Sequence, residues 1–265
     1  MKNKNLYVAI LMGGLLAACA SAKPEGELTG SVNELYNQAM DQMQAGKYSS
    51  AIHSFEELDR QYPYSAWATK AQLNVAYAHF LAKDYAEVIP AAERFLQLHP
   101  GHTDAPYALY LIGLSHYGRM SDVSRDQSDT ADALAAFEAL VERFPESSYA
   151  RDAKLKITLC KDHLAGKEME VGRYYLGQKK YLAAINRFNT VVHAYETSSQ
   201  APEALYRLVE SYIALGIADE AQRAGAILGY NYPGSVWYKQ AYALLVGKKL
   251  VPENAETGWW DKWVK

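Results

Sequence analysis

Cys19 is the residue whose surroundings most clearly predict chemistry. It ends the run Leu16-Ala17-Ala18-Cys19, in which an aliphatic residue and two small residues precede a cysteine, the pattern of a lipobox. Two lysines and an apolar stretch over residues 6–16, too short to span a bilayer, come before it. The pattern predicts a signal peptide over residues 1–18 and the transfer of a diacylglycerol to the Cys19 thiolate.

Lipidation would determine where the protein is held. Several acyl chains on one cysteine give stable anchoring, whereas one chain gives marginal membrane binding. Ala20 follows the cysteine, and lipoproteins retained in the inner membrane typically carry aspartate there, so by resemblance we expect attachment to the periplasmic face of the outer membrane. Residues 19–30 have the small, polar composition of a flexible tether. The alternative is an ordinary secretory signal, cut near Ala18 or Ala20.

Three further groups of residues could carry chemistry. His99 and His102 flank a Pro-Gly pair with Asp104 close by, but three loop residues without a supporting framework make a poor metal site. Cys160 has apolar neighbours, which favour a small core residue over a nucleophile. Glu210-Ser211 resembles the catalytic pair of some periplasmic glycan-cleaving enzymes, yet it falls inside a repeat helix with no sugar-binding domain.

The sequence also lacks a glycine-rich phosphate loop. We therefore expect no enzymatic activity and no metal or cofactor, apart from the covalent lipid on Cys19. The chain of 265 residues has a net charge of −3 and a pI near 6.2, which argue against nucleic acid as a partner. Its 21 tyrosines against 6 phenylalanines suit a recognition surface that must stay soluble.

A short motif occurs three times along the chain and indicates where helices end and begin. It reads aromatic-Pro-x-Ser-x-aromatic, at residues 62–67, 144–149 and 232–237. The first aromatic closes one helix, the proline prevents its continuation, and the serine can cap the next helix. The terminating prolines Pro63 and Pro100 are 37 residues apart, close to the 34 residues of a tetratricopeptide repeat.

The sequence therefore predicts an all-α fold, a tetratricopeptide-repeat solenoid of about five helix-turn-helix units. We divide it into N-terminal repeats over residues 31–146 (units 1–3) and C-terminal repeats over residues 147–247 (units 4–5 and a final helix). Residues 118–129 are expected to form a surface loop, and residues 147–176 one unusually long helix. A tryptophan-rich tail, residues 248–265, could dock on the solenoid as a cap or insert into a partner or membrane.

The lipobox, the five units and the long helix together resemble the BamD (ComL) family of outer-membrane β-barrel assembly lipoproteins. The sequence segments on which the resemblance rests are residues 33–39, 51–65, 125–126, 144–150 and 171–175. It covers about residues 34–246 and includes the order of the turn insertions. The tryptophan-rich tail has no counterpart on which to rely.

The resemblance implies a non-enzymatic scaffold. The C-terminal half of such proteins contacts the barrel-forming subunit, a BamA-like protein, and the N-terminal half receives the aromatic-terminated C-terminal segments of unfolded outer-membrane proteins. Accessory lipoproteins are further expected partners. A different outer-membrane repeat lipoprotein, acting as an adaptor for pilus or peptidoglycan machinery, is the rival interpretation.

Two sets of binding residues follow. In these repeats the first helix of each pair lines the concave face, and helical spacing predicts a peptide groove there, since aromatic and methionine side chains form adaptable apolar surfaces. The groove residues are Tyr36, Met40, Met43, Leu73, Tyr77, Phe80, Tyr107, Tyr110 and Tyr117. For any one of them, burial in the core between repeats is the alternative. The resemblance points to Arg187 as a contact for the barrel subunit, since arginine pairs bidentately with carboxylates; a solvated surface arginine is the alternative.

Overall fold

The computed structural model describes residues 30–251 and Trp259. This part of the chain folds into eleven helices and contains no strand: α1 Val32–Gln44, α2 Tyr48–Gln61, α3 Ala66–Leu81, α4 Tyr85–Leu98, α5 Ala105–Arg119, α6 Ser128–Arg143, α7 Ser148–Gly177, α8 Tyr181–Ala194, α9 Ala201–Leu215, α10 Ala218–Asn231 and α11 Val236–Gly247. The predicted signal peptide, Cys19, the tether up to residue 29 and the tail other than its first residues and Trp259 lie outside the described residues.

The helices pack in sequence as antiparallel pairs, so the predicted tetratricopeptide-repeat solenoid is confirmed. Units 1 to 5 are α1–α2, α3–α4, α5–α6, α7–α8 and α9–α10, and α11 follows as the final helix. Successive first helices touch one another, from α1 with α3 through to α9 with α11, whereas α2, α4, α6, α8 and α10 make no contacts among themselves. The first helices therefore form the inner, concave side of the described solenoid.

The three copies of the recurring motif end units 1, 3 and 5 as predicted, and units 2 and 4, which lack the full motif, end with the same backbone geometry. The second helices stop at an aromatic or histidine residue whose φ lies between −130° and −136°: Tyr62, His99, Phe144, Tyr195 and Tyr232. The hydroxyls of Ser65 and Ser235 accept hydrogen bonds of 3.0 Å from Ala68 N and Tyr238 N, which caps α3 and α11. Ser147 has the backbone angles of a cap, but its buried Oγ has no hydrogen-bond partner among the described residues.

The turn inside a unit places one residue in the left-handed backbone region. This residue is Gly46 in unit 1, Lys83 in unit 2, Lys179 in unit 4 and Gly216 in unit 5, with φ of 73°, 60°, 57° and 75°. Glycine adopts these angles without strain, whereas a lysine there is held in a conformation that its Cβ disfavours. At the turns that contain Lys83 and Lys179, the geometry of the repeat therefore imposes a backbone conformation that the residue itself disfavours.

Helix α7 confirms the prediction of one long helix, since it runs for 30 residues. The predicted loop is shorter than residues 118–129, because α5 continues to Arg119 and α6 begins at Ser128. The loop is also held against α7: Lys167 Nζ donates to the Ser124 carbonyl at 2.8 Å, and His163 Nε2 lies 2.9 Å from the Ser121 carbonyl.

The C-terminal end of the solenoid is covered by α11 and by Trp259. The Trp259 indole N–H donates to the Tyr238 hydroxyl at 3.1 Å, and its ring packs where Gly225 leaves space on α10. Trp259 thus docks on the solenoid, one of the two arrangements that the sequence left open. No helix within the described residues is long and apolar enough to cross a membrane.

Candidate functional site

Seven of the nine residues predicted to line the groove lie partly exposed on the first helices, and two do not. Tyr36, Met40, Tyr77, Phe80, Tyr107, Tyr110 and Tyr117 lie on α1, α3 and α5 and are all partly exposed. Met43 and Leu73 were wrongly assigned to the groove, because they are buried in the core with 7% and 8% exposure. Met43 continues a buried stripe on α1, one helical turn after Ala39, and Leu73 packs in the core between units 2 and 3.

The tyrosines of units 2 and 3 form a continuous aromatic chain that extends to the start of α7. Ring centroids are separated by 6.1 Å between Tyr77 and Tyr107, and by 5.2 Å between Tyr107 and Tyr149. Tyr110 also lies 5.2 Å from Tyr149. Such tilted and edge-on arrangements stabilise aromatic pairs. The result is a rigid apolar surface on the concave side that still carries hydroxyl groups.

Two charged side chains of α7 contact the tyrosines of α5 at one end of this aromatic chain. The Tyr110 hydroxyl donates to the Asp152 carboxylate, and Lys156 Nζ lies 3.5 Å from the same carboxylate. The Lys156 ammonium also sits 4.8 Å from the centre of the Tyr117 ring, close enough for a cation–π interaction. Burial raises the pKa of Tyr107 well above its usual range, and burial together with the bond to Asp152 does the same for the pKa of Tyr110.

Unit 1 contributes a smaller aromatic group. The Tyr36 ring lies 4.6 Å from that of Trp67 and 5.7 Å from that of Phe55. Asn74 donates to the Tyr36 hydroxyl at 3.0 Å and lies 3.9 Å from Met40 Sδ. Asn74 therefore links the groove residues of α1 to α3.

Two of these contacts, together with a third in unit 5, are versions of one arrangement that the sequence did not reveal. A tyrosine on a first helix packs against the second aromatic of the recurring motif: Tyr36 with Trp67, Tyr110 with Tyr149, and Tyr206 with Trp237 at 5.5 Å. Each tyrosine follows a leucine in the sequence, which is the signal that could have identified the pairs. The aromatic that ends the motif therefore faces the concave side instead of only marking a helix start.

Arg187 lies on α8 and is paired within the chain. Its guanidinium Nη1 is 3.1 Å from Glu168 Oε2 on α7, and the arginine side chain remains 45% exposed. A cavity of about 220 Å³ adjoins it, lined also by Tyr175, Asn186 and Thr190. An exposed ion pair of this kind contributes little stability, so Arg187 keeps the ability to exchange its partner.

The residues considered for catalysis or metal binding are hydrogen-bonded to neighbouring residues or buried in the core. His99 Nε2 is 2.8 Å from Gln72 Oε1, and the Asp104 backbone N–H donates to His102 Nδ1 at 3.1 Å. The Ser211 hydroxyl is buried and donates to the Arg207 carbonyl. Cys160 is buried in the core, which raises the pKa of its thiol to about 11.

One group of possible metal ligands was not anticipated. His116 on α5 and Asp129 and Asp132 on α6 bring ligand atoms within 4.8 Å of one another. Arg119 Nε lies 3.3 Å from Asp129 Oδ1, so the carboxylate already has a cationic partner. The group joins two helices, which is why no local spacing in the sequence indicated it.

Comparisons with known proteins agree with the resemblance inferred from the sequence. The YfiO family, described as an outer membrane lipoprotein, matches residues 29–227. The outer membrane protein assembly factor BamD of Caulobacter vibrioides is 44% identical over 247 residues, which cover 92% of this chain and 81% of the relative. BamD of Rickettsia prowazekii is 44% identical over 246 residues, covering 92% and 98%.

Among solved structures, the type IV pilus biogenesis factor PilW is 18% identical, with a TM-score of 0.37 over 81% of this chain and 100% of its own. The family match spans well over half of the chain, and the relatives named BamD align over most of their own length. These relatives are named outer membrane protein assembly factors, which places the role of this chain in outer-membrane protein assembly. The chain belongs to the BamD family of outer membrane protein assembly factors.

Proposed function

We propose that this protein is a non-enzymatic scaffold, anchored by lipid at Cys19 to the periplasmic face of the outer membrane. It binds the barrel-forming assembly subunit through its C-terminal half. It receives segments of unfolded outer-membrane proteins on the concave face of its N-terminal half. The observation that carries the proposal is the chain of tyrosines from Tyr77 through Tyr107 and Tyr149 to Tyr110.

This aromatic chain suits an unfolded client. Its rings are already fixed by packing. Binding therefore costs conformational entropy in the client segment and little in the tyrosine side chains. Aromatic side chains of the client gain contact with the exposed ring edges, while the tyrosine hydroxyls keep the empty surface soluble. The Lys156 ammonium at the Tyr117 end, which pairs with Asp152 in the free protein, offers a cation to a segment that ends in a carboxylate.

A photo-crosslinking experiment tests the client site. A benzophenone amino acid replaces Tyr77 or Tyr117, and the probe is a ten-residue peptide that ends in phenylalanine with a free carboxylate. Crosslinks are expected at both positions and are lost when the terminal phenylalanine is replaced by serine. Tyr230, which is 58% exposed on α10, serves as the control position and should give no crosslink. Equal labelling at all three positions would remove the support for a specific groove.

The partner contact is tested by co-purification from detergent-solubilised membranes, with the full chain tagged after residue 265. Arg187→Glu reverses the charge at the proposed contact and should lose a barrel protein that the wild type retains. Arg151→Glu, on the exposed side of α7, is the matched control and should retain it. If no β-barrel protein co-purifies with the wild type, the proposal that the partner is a barrel-forming subunit fails. If both variants retain it, Arg187 is not the contact.

The anchor is tested separately. Cys19→Ser removes the thiolate that accepts the lipid, so the protein should move from the outer-membrane fraction to the soluble periplasmic fraction. An unchanged distribution of the variant would mean that another feature holds the protein at the membrane.

A further inference from the structure

The outer, convex side of the first two units carries an open groove between α2 and α4. These two helices do not contact each other, and α3 lies between them as the floor. Two adjoining cavities, of about 240 and 590 Å³, occupy the groove. They share Glu56, Asp59, Gln72 and Arg94 as lining residues, so they form one continuous depression.

The groove has apolar surface along its length. Val75 on α3 and the small side chains of Pro90 and Ala91 on α4 line one cavity. Leu98, which is 53% exposed, lines the other together with Pro63. The groove follows α2, whose 14 residues correspond to about 21 Å of helix. A helix of three to four turns fits this length.

Three carboxylates line the groove, those of Glu56, Asp59 and Glu87, together with the guanidinium groups of Arg60 and Arg94. Asp59 is 18% exposed and accepts from Gln72 Nε2 at 2.9 Å, with Arg94 Nη2 at 3.6 Å. Glu56 and Glu87 are exposed and form no hydrogen bond or ion pair through their carboxylates within residues 30–251. Arg94 pairs with Asp59 and Arg60 pairs with Glu57, so the carboxylates of Glu56 and Glu87 are left without a cationic partner among the described residues.

Helix α4 adds a further acceptor on the same side. Pro90 lies inside the helix and has no backbone N–H, so the Ala86 carbonyl, four residues earlier, lacks its usual helical donor. An occupant with several N–H donors would satisfy this carbonyl and the carboxylates together. Guanidinium offers five donors in a planar fork, more than any other side chain.

We propose that this outer groove is a docking site for an amphipathic helix of a partner protein, which inserts an arginine between Glu56 and Glu87. The apolar side chains of that helix pack on Val75, Ala91 and Leu98. Charge complementarity selects the arginine, and the two flanking helices select a helical ligand, as in other helix-in-groove complexes. The site lies on the opposite side of the solenoid from the tyrosine chain, so both can be occupied at once.

The test uses the full chain in detergent and a synthetic probe. The probe is an acetylated, amidated 14-residue helical peptide that carries Leu-x-x-x-Arg-x-x-Leu on one face, in an alanine and glutamine background. Its matched form has citrulline, which is uncharged and has the same shape, in place of arginine. Binding is measured by fluorescence anisotropy at two salt concentrations. We expect the arginine peptide to bind at least about tenfold more tightly than the citrulline peptide, since charged hydrogen bonds contribute more than neutral ones.

Two variants assign the binding to the groove. Glu56→Gln with Glu87→Gln should abolish the preference for arginine, and Ala91→Phe should weaken the binding of both peptides because its ring fills the groove from the α4 side. Glu142→Gln with Glu196→Gln, at exposed positions elsewhere, is the control and should bind as the wild type does. Circular dichroism and thermal melting establish that all variants fold. The proposal is overturned if the wild type binds both peptides equally or binds neither, or if the Glu56 and Glu87 variant keeps its preference.

Discussion

Gly113 on α5 lies directly against the ring of Phe137 on α6. A Cβ atom at position 113 would stand 2.5 Å from Phe137 Cε1, a distance that real side chains do not adopt. Gly172 and Phe188 repeat this relationship between α7 and α8. In both units the absence of a side chain lets the phenylalanine bury fully and brings the paired helices together.

Replacing Gly113 with alanine should therefore destabilise unit 3, because overpacking a filled core typically costs about 1–3 kcal/mol. The midpoint of urea unfolding measures the effect. Gly177→Ala is the control, since a Cβ at the end of α7 meets nothing within 4 Å and should leave the midpoint unchanged or slightly raised. Equal midpoints for the two variants would contradict the close approach.

The partly buried tyrosines of unit 3 predict a loss of stability at alkaline pH. The pKa of Tyr107 and that of Tyr110 are raised above the ordinary value of 10, chiefly by burial. Above pH 10 the unfolded chain releases these protons while the folded chain keeps them, so the free energy of unfolding falls as the pH rises, and it is unaffected below pH 10. Urea unfolding at pH 8, 9.5 and 11 should show this decline. Tyr107→Phe should make it shallower, and an unchanged slope would argue that Tyr107 ionises freely.

Cys160 should resist thiol reagents while the protein is folded. Its side chain is fully buried, and burial raises its pKa to about 11 from 9, so little thiolate exists at pH 8. In a Cys19→Ala background, the reaction with an aromatic disulfide reagent should be slow in buffer and complete in 8 M urea. Rapid reaction in buffer would mean that α7 opens locally near this residue.

The turns that use the left-handed region predict opposite effects for two substitutions. Lys83→Gly removes a disfavoured conformation and should stabilise the protein by up to about 1 kcal/mol. Gly46→Ala introduces one and should destabilise by about 1 kcal/mol, since no atom within 4 Å adds a clash. Thermal melting measures both. Gly101→Ala, also unobstructed but without a positive φ, should match the wild type; a decrease there equal to that of Gly46→Ala would contradict the backbone explanation.

Much of the fold could be predicted from the sequence because it is local. The spacing of Pro63 and Pro100 and the motif around Ser65 both determine where one helix ends and the next begins. The long α7 was predicted from the lack of proline over thirty residues. These features depend on neighbours within a few positions, which a single sequence displays.

The candidate site was harder to predict because it depends on contacts between helices. Helical spacing alone does not distinguish Met43, which points into the core, from Met40, which remains partly exposed. The pairing of Arg187 with Glu168 joins residues on two helices, and the packing of Tyr107 on Tyr149 joins two units. Such contacts require the relative rotation of the helices, which the periodicity of one helix leaves undetermined.

Helix α7 has a consequence for how the two proposed binding faces communicate. Its first half packs with unit 3 through Ala153 and Cys160, and its second half packs with units 4 and 5 through Ala165 and Met169. It is one unbroken helix of about 45 Å, so the region beside Arg187, which pairs with Glu168 on α7, and the region around Tyr149 belong to the same element with no break between them. The faces proposed for the barrel subunit and for the client are thereby connected through one continuous helix.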